Sequence, residues 1–331
     1  MLAHWHTRLA LLALFVPTYA SAADDTNHSS SAPTYRSTVS QVRITFFATD
    51  ENNHTLESLA ESDFAVVDSE QVVRNFRSFT HSDETSLDVV VLVDLSESVA
   101  PRLRAAMSEV LQLVAQEQSI ASDSIAVLSF GGTFGGAHGG AFDSLHPAVL
   151  CSSGCRTADS VSRLLAVKSG GITPLFDALT LGADFISHHR RLGARPVMIL
   201  FSDGNDTISL HSAREALQAV LDEGTLLYSV DTGASENQSS SQSPTQTAGS
   251  TFLRRASDAT GGRYFPLRFF PNNGAATVLN AVLEDLRASY VVTYDLPSHR
   301  AGFHSLRLLP THNLNLTFHS RNGYDYEPSG H

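Results

Sequence analysis

The sequence predicts an α/β protein: a doubly wound, mostly parallel sheet with helices on both faces, flanked by a small β-sandwich-like unit drawn from both chain ends. Three observations carry this. Continuous apolar runs at residues 89–93 and 197–201 have the pattern of strands buried on both faces of a parallel sheet. Stretches whose apolar residues recur at helical spacing alternate with such runs, as a doubly wound sheet requires. Near both chain ends, shorter segments bounded by turn residues read as antiparallel strands.

In chain order, residues 1–22 come first. A charged start at Arg8, an apolar stretch over 9–16 and the ending Ala20-Ser21-Ala22 describe a secretory signal peptide cut after Ala22. The stretch is shorter than the ~20 residues of a membrane-spanning helix, and no cysteine stands by the cleavage point to take a lipid anchor. An exported protein, periplasmic or extracellular, with no membrane insertion after cleavage is therefore expected. Residues 23–38 are rich in Ser and Thr and read as a flexible leader. An N-terminal β unit follows over 39–84, with strands at 42–46, 64–67 and 72–76 and a turn at Asp68-Ser69-Glu70.

The α/β domain is expected over 85–296. Its strands are read at 89–93, 125–130, 197–201, 226–230 and 290–294. Its helices are marked by Leu103, Met107, Val110 and Val114, by Leu175, Ala178, Leu179, Gly182 and Ile186, by Ala213, Ala216, Leu217, Val220 and Leu221, and by Val278, Val282 and Leu286. Two inserts interrupt it: a glycine-rich stretch at 131–140, which lacks a following helix start and reads as a flexible loop, and a Ser/Gln/Thr-rich stretch at 234–250, which reads as disordered. Residues 297–331 hold strand-like pieces at 303–308 and 314–318, expected to return to the N-terminal β unit.

Composition narrows the function. The 331 residues are 42% hydrophobic and 17% charged, enough to bury a sizeable core and to form two folded units. The 22 basic residues are outnumbered by 34 acidic ones, a formal charge of −12 that argues against nucleic acid or anionic lipid as partner. Lys168 is the one lysine, and no Gly-x-x-x-x-Gly precedes it, which excludes a Walker A loop. Cys151 and Cys155 are too few for a structural zinc site, and after export a short-loop disulfide is the expected state, with two buried thiols as the alternative.

The first central strand ends in Asp94-Leu95-Ser96-Glu97-Ser98, at the carboxyl edge where open α/β sheets bind ligands. One carboxylate and two hydroxyls from a single turn are hard oxygen donors of the kind Mg²⁺ or Mn²⁺ takes. Thr173, just ahead of a helix, and Asp203, at the end of another apolar strand, bring two further oxygens to the same edge. Each has a plainer reading: the aspartates and serines as turn formers or caps, and Thr173 as the cap before Pro174. Asp177 reads as a support for its helix, and His188-His189 as favourable charges at a helix end.

These three segments, in this order, resemble the von Willebrand factor A-like (VWA) domain and its metal-ion-dependent adhesion site. The resemblance spans roughly residues 86–296. It implies a VWA fold of the doubly wound, Rossmann-like type, and a divalent cation, Mg²⁺ or Mn²⁺, held directly or through water by Asp94, Ser96, Ser98, Thr173 and Asp203. An open coordination position would then take an Asp or Glu carboxylate from a protein partner. Ser62-Asp63-Phe64 before the domain, Ser202-Asp203-Gly204-Asn205-Asp206-Thr207 within it, and Arg287-Ala288-Ser289-Tyr290 through Asn322-Gly323-Tyr324 after it are similar to the bacterial exported VWFA-related family, which implies fold and location more than a ligand. One position departs from the pattern: Glu97 stands where Gly is common. It either adds a carboxylate near the cation, repelling an acidic ligand, or points to water at a helix start.

No Gly-x-Ser-x-Gly and no His-Glu-x-x-His is present, so a non-enzymatic binding module is expected ahead of a hydrolase. A structural scaffold with a vestigial metal site, and metal-assisted hydrolysis, are the alternatives.

Overall fold

The computed structural model describes residues 41–81, 86–96, 125–133, 148–151, 168–169, 172–233, 247–266 and 274–327. The expected signal peptide and leader, the helix at 103–114, Glu97, Ser98 and Cys155 lie outside them, as does the side chain of Cys151, and with it the expected bridge.

A six-stranded sheet forms the centre. Its strands are β5 (Leu87–Asp94), β6 (Ile125–Phe130), β8 (Ala148–Cys151), β10 (Arg195–Ser202), β11 (Leu226–Asp231) and β12 (Tyr264–Pro266), in the order β12-β11-β10-β5-β6-β8. Five run parallel and β8 is an antiparallel edge. Every residue of β5 and β10 is buried, as their unbroken apolar runs require. The chain leaves β5 for β6 on one side and later returns to β10 on the other, so the reversal of strand order falls between β5 and β10.

One face of this sheet carries Val90, Leu92, Leu128, Met198, Leu200 and Leu227, packed against three helices. These are α1 (Leu175–His189), α2 (Ala213–Asp222) and α3 (Ala248–Thr260). The opposite face is met by α4 (Gly274–Arg287): Arg195 of β10 donates to the Leu286 carbonyl at 3.3 Å and to Ser289 Oγ at 2.8 Å. Helices thus lie on both faces, the doubly wound arrangement expected from the alternation.

Antiparallel strands from the two chain ends form two further four-stranded sheets. The first has the order β15-β1-β13-β4, with β1 (Gln41–Thr49), β4 (Ser78–His81), β13 (Tyr290–Asp295) and β15 (Thr317–Ser320). The second has the order β16-β14-β2-β3, with β2 (Phe64–Asp68), β3 (Gln71–Val73), β14 (Gly302–Pro310) and β16 (Gly323–Tyr326). Ile44 and Phe46 of β1, Val66 of β2, Val292 of β13 and Leu306 of β14 share one core, so the chain ends do meet in a β unit. A small ribbon of β7 (Gly132–Thr133) and β9 (Lys168–Ser169) completes the strands among the described residues.

Four expectations need correction. The strand at 290–294 does not close the parallel sheet; it pairs antiparallel with β1 and β4, because an apolar run after a helix does not itself specify which sheet it joins. The polar stretch read as disordered to residue 250 ends earlier, since Thr247 caps α3 by accepting the Ser250 N–H at 3.1 Å. The strand read at 72–76 stops at Val73, and the one read at 314–318 starts at Thr317.

Candidate metal centre

Asp94 ends β5 at the strand-order reversal, wholly buried. Its Oδ1 accepts the Ser96 N–H at 2.9 Å, an Asx turn that swings the chain off the sheet and brings Ser96, also buried, back beside it. Its Oδ2 accepts the hydroxyl of Ser202 at 2.8 Å, from the last residue of β10. Ser202 Oγ in turn accepts the Gly204 N–H at 3.1 Å, so one hydroxyl joins the Asp94 turn to the Asp203 loop.

Gly131 brings in the third loop. It directly succeeds β6, has φ +70°, and a Cβ built there would lie 3.0 Å from Ser96 N, 3.2 Å from Asp94 Oδ1 and 3.1 Å from the Ile172 carbonyl. A side chain there would be strained and would crowd all three. The residue next to Ile172 is Thr173, which is pinned to the Asp203 loop from its other side: its N–H donates to Thr207 Oγ1 at 2.7 Å and its carbonyl accepts the Thr207 N–H at 3.0 Å. Asp94, Ser96, Thr173 and Asp203 therefore lie on three loops stitched together at one sheet edge. Ser98 lies outside the described residues.

Thr173 is not the cap of α1. The N-cap is Pro174, without a side-chain bond, and the Phe176 and Asp177 N–H groups donate instead to Ser209 Oγ at 3.0 and 3.1 Å. Ser209 is held by Asp206 at 2.5 Å, and Asp177 accepts the Leu210 and His211 N–H groups and His211 Nδ1. Asp177 thus fastens α1 to the loop after Asp203, a supporting role that its place in the sequence suggested. His188 and His189 close the other end of α1, each ring Nδ1 lying 2.8 Å from a carbonyl one turn back.

Burial pushes the Asp94 carboxyl up to about 6, and the nearby charge of Asp203 acts in the same direction against the hydrogen bonds from Ser96 and Ser202. Asp203 is half-buried and closes its own turn by accepting the Asn205 N–H at 3.0 Å. Two acids near enough to repel, beside buried hydroxyls, form a donor set that suits a hard divalent cation. Among the described residues no group of three or more His, Cys, Asp or Glu is placed to hold a metal.

Sequence reasoning gave Gly131, Ser202 and Thr207 no part in the site. Gly131 could have been found by inspecting the residue just past the carboxyl end of each parallel strand; the further glycines up to Gly140 drew the reading toward a flexible loop. The contacts of Ser202 and Thr207 depend on strand order, which the sequence does not state.

The von Willebrand factor type A domain model matches residues 88–261. Among solved structures, an aerotolerance-related membrane protein from Bacteroides fragilis is 15% identical, with 61% of this chain and 98% of that one covered at a TM-score of 0.41. A von Willebrand factor type A protein from Catenulispora acidiphila is 14% identical, with 88% and 65% covered at 0.44. Proximal thread matrix protein 1 from the mussel byssus, in a form with a zinc-occupied MIDAS motif, is 14% identical, with 66% and 50% covered at 0.42. Among curated proteins there is no match. No helix among the described residues is long and apolar enough to cross a membrane. With its model matched over more than half of the chain, the family is settled: this chain belongs to the von Willebrand factor type A domain family.

Proposed function

We propose that the chain is an exported, non-enzymatic adhesion module that holds a divalent cation, Mg²⁺ or Mn²⁺, through Asp94, Ser96, Ser98, Thr173 and Asp203, and captures a protein partner presenting an Asp or Glu side chain. The observation that carries the reading is the joining of three loops at one sheet edge, through Ser202 to Asp94, Thr173 to Thr207 and the close approach of Gly131. Independent turn formers or caps have no need to converge in this way.

The bound cation supplies a concentrated positive charge able to accept an anionic oxygen from outside. The chain's residues do the rest. Asp94 and Asp203 provide the negative charge, and the hydroxyls of Ser96, Ser98 and Thr173 provide neutral oxygens, which leaves a dication short of neutralised and receptive to one more carboxylate. The N-terminal end of α1 comes directly after Thr173, but Ser209 caps its first N–H groups and Asp177 and Asp206 stand beside them, so its dipole adds little toward an incoming anion. Ser202, Thr207 and Gly131 fix the loops and make no claim on the ligand. Glu97 works against an acidic partner, so a surrounding protein interface has to supply much of the affinity.

The test is capture of envelope proteins on the immobilised chain, first with Mg²⁺ and then with chelator. The reading predicts release by chelator, weaker capture by Thr173→Ala and stronger capture by Glu97→Gly. Capture indifferent to all three removes the adhesion mechanism and leaves a scaffold with a vestigial site.

A further inference from the structure

The opposite edge of the parallel sheet holds a different kind of site. A cavity of about 610 Å³ opens where β10 and β11 begin, and five of its lining residues are arginines: Arg43, Arg190, Arg191, Arg195 and Arg321. Among the described residues no carboxylate lies on the lining, in a chain where acidic residues outnumber basic ones by 34 to 22. The strands that connect this edge to Asp94 are eight residues long, which separates the two sites by roughly 23 Å at about 3.3 Å per residue.

Local contacts account for part of this charge. Arg191 is paired with Asp88 at 2.7 Å, and Arg190 donates to the Glu223 carbonyl at the end of α2 at 3.3 Å. Arg43 is exposed and makes no ion pair among the described residues, although it lies close enough to Arg195 to repel it. Arg195 is buried in β10, and burial pulls its guanidinium down to about 10, with Arg43 acting in the same direction. Arg321 is half-buried, and its Nη2 donates to the Arg43 carbonyl at 3.1 Å, which holds these two positions together.

Like charges gathered around a cavity whose lining offers them no carboxylate suit an anion. The volume is that of a small-molecule pocket rather than of an ion alone. We propose that this cavity binds a small organic ligand through a tetrahedral oxyanion, a phosphate or sulfate ester, with Arg43, Arg195 and Arg321 around the anion. Planar guanidinium forks match such oxygens two at a time. The site does not depend on the metal centre.

The test uses the full chain in chelator, with inorganic phosphate and inorganic sulfate as probes and chloride at matched ionic strength as the control. Thermal unfolding and calorimetry should show saturable binding of at least one probe, with a raised unfolding midpoint that chloride does not reproduce. Arg43→Gln, at an exposed position, should weaken that binding about tenfold. Asp94→Ala should bind as wild type does. Preference for phosphate or for sulfate identifies the class of ester. Absence of saturable binding by both probes, or equal affinity in wild type and Arg43→Gln, overturns the proposal.

Discussion

Asp94 joins a structural role to the one proposed for it. Its two oxygens close the Asp94–Ser96 turn and hold Ser202, yet its burial and the neighbouring Asp203 leave its charge poorly compensated. Its candidacy was legible because the Asp-x-Ser-x-Ser spacing and the apolar run before it are both local; the hydroxyl that holds it, Ser202, was not, because that contact exists only once β10 lies beside β5. Ser209 is the corresponding residue for α1, accepting two first-turn N–H groups that Pro174 leaves unsatisfied. Ser209→Ala should destabilise the protein by about 1–2 kcal/mol in urea unfolding, the usual cost of losing a helix cap. An unchanged midpoint would show that Asp206 or water replaces it without loss.

At the scale of elements, the apolar strands and the strongly periodic α1 and α2 were readable because their burial is written in continuous or 3.6-spaced hydrophobic residues. Helix α3 was not. It buries Gly249, Ala256, Ser257 and Thr260 alongside Leu253, small and polar residues that carry little hydrophobic signal, and it comes after a Ser-rich stretch. Its start is also the point that braces the Asp203 loop. Gly204, at φ +79°, and Gly249 approach so closely that a Cβ on Gly249 would stand 2.4 Å from the Asp203 carbonyl oxygen. Gly249→Ala should therefore cost about 1–3 kcal/mol, as overpacking does, and should also weaken cation binding by shifting Asp203. A variant that loses stability but binds the cation like wild type would separate α3 from the site.

Over the whole molecule, the chain ends return to pair with each other, as expected, but they also recruit β13, and the reason the sequence misassigned it is that a strand's partner is a non-local property. The closure is reinforced by buried polar groups. Asp68 of β2 accepts the hydroxyls of Tyr294 and Tyr324 at 2.8 and 2.7 Å, linking strands far apart in sequence. Near Arg263, Asp285 and His319 make folding sensitive to pH in opposite senses. Burial lifts the Asp285 carboxyl to about 6 despite Arg263, so its contribution is largest in acid and is lost as pH rises through 6. Burial, and then Arg263, lowers His319 from 6.5 to about 4; its contribution is full above 6.5 and is lost as pH falls toward 4. His319→Phe, which keeps the ring against Phe47, should gain on wild type by up to roughly 3 kcal/mol as pH falls from 7.5 to 4.5. A difference between the two proteins that is flat across this range would place His319 outside the acid response. The proposed adhesion function requires a cation at the strand-order reversal. Its most direct test is calorimetric titration of Mg²⁺ and Mn²⁺ into wild type and Asp94→Ala: saturable heat in wild type that disappears in Asp94→Ala is the predicted result, and equal heats from the two proteins would contradict it.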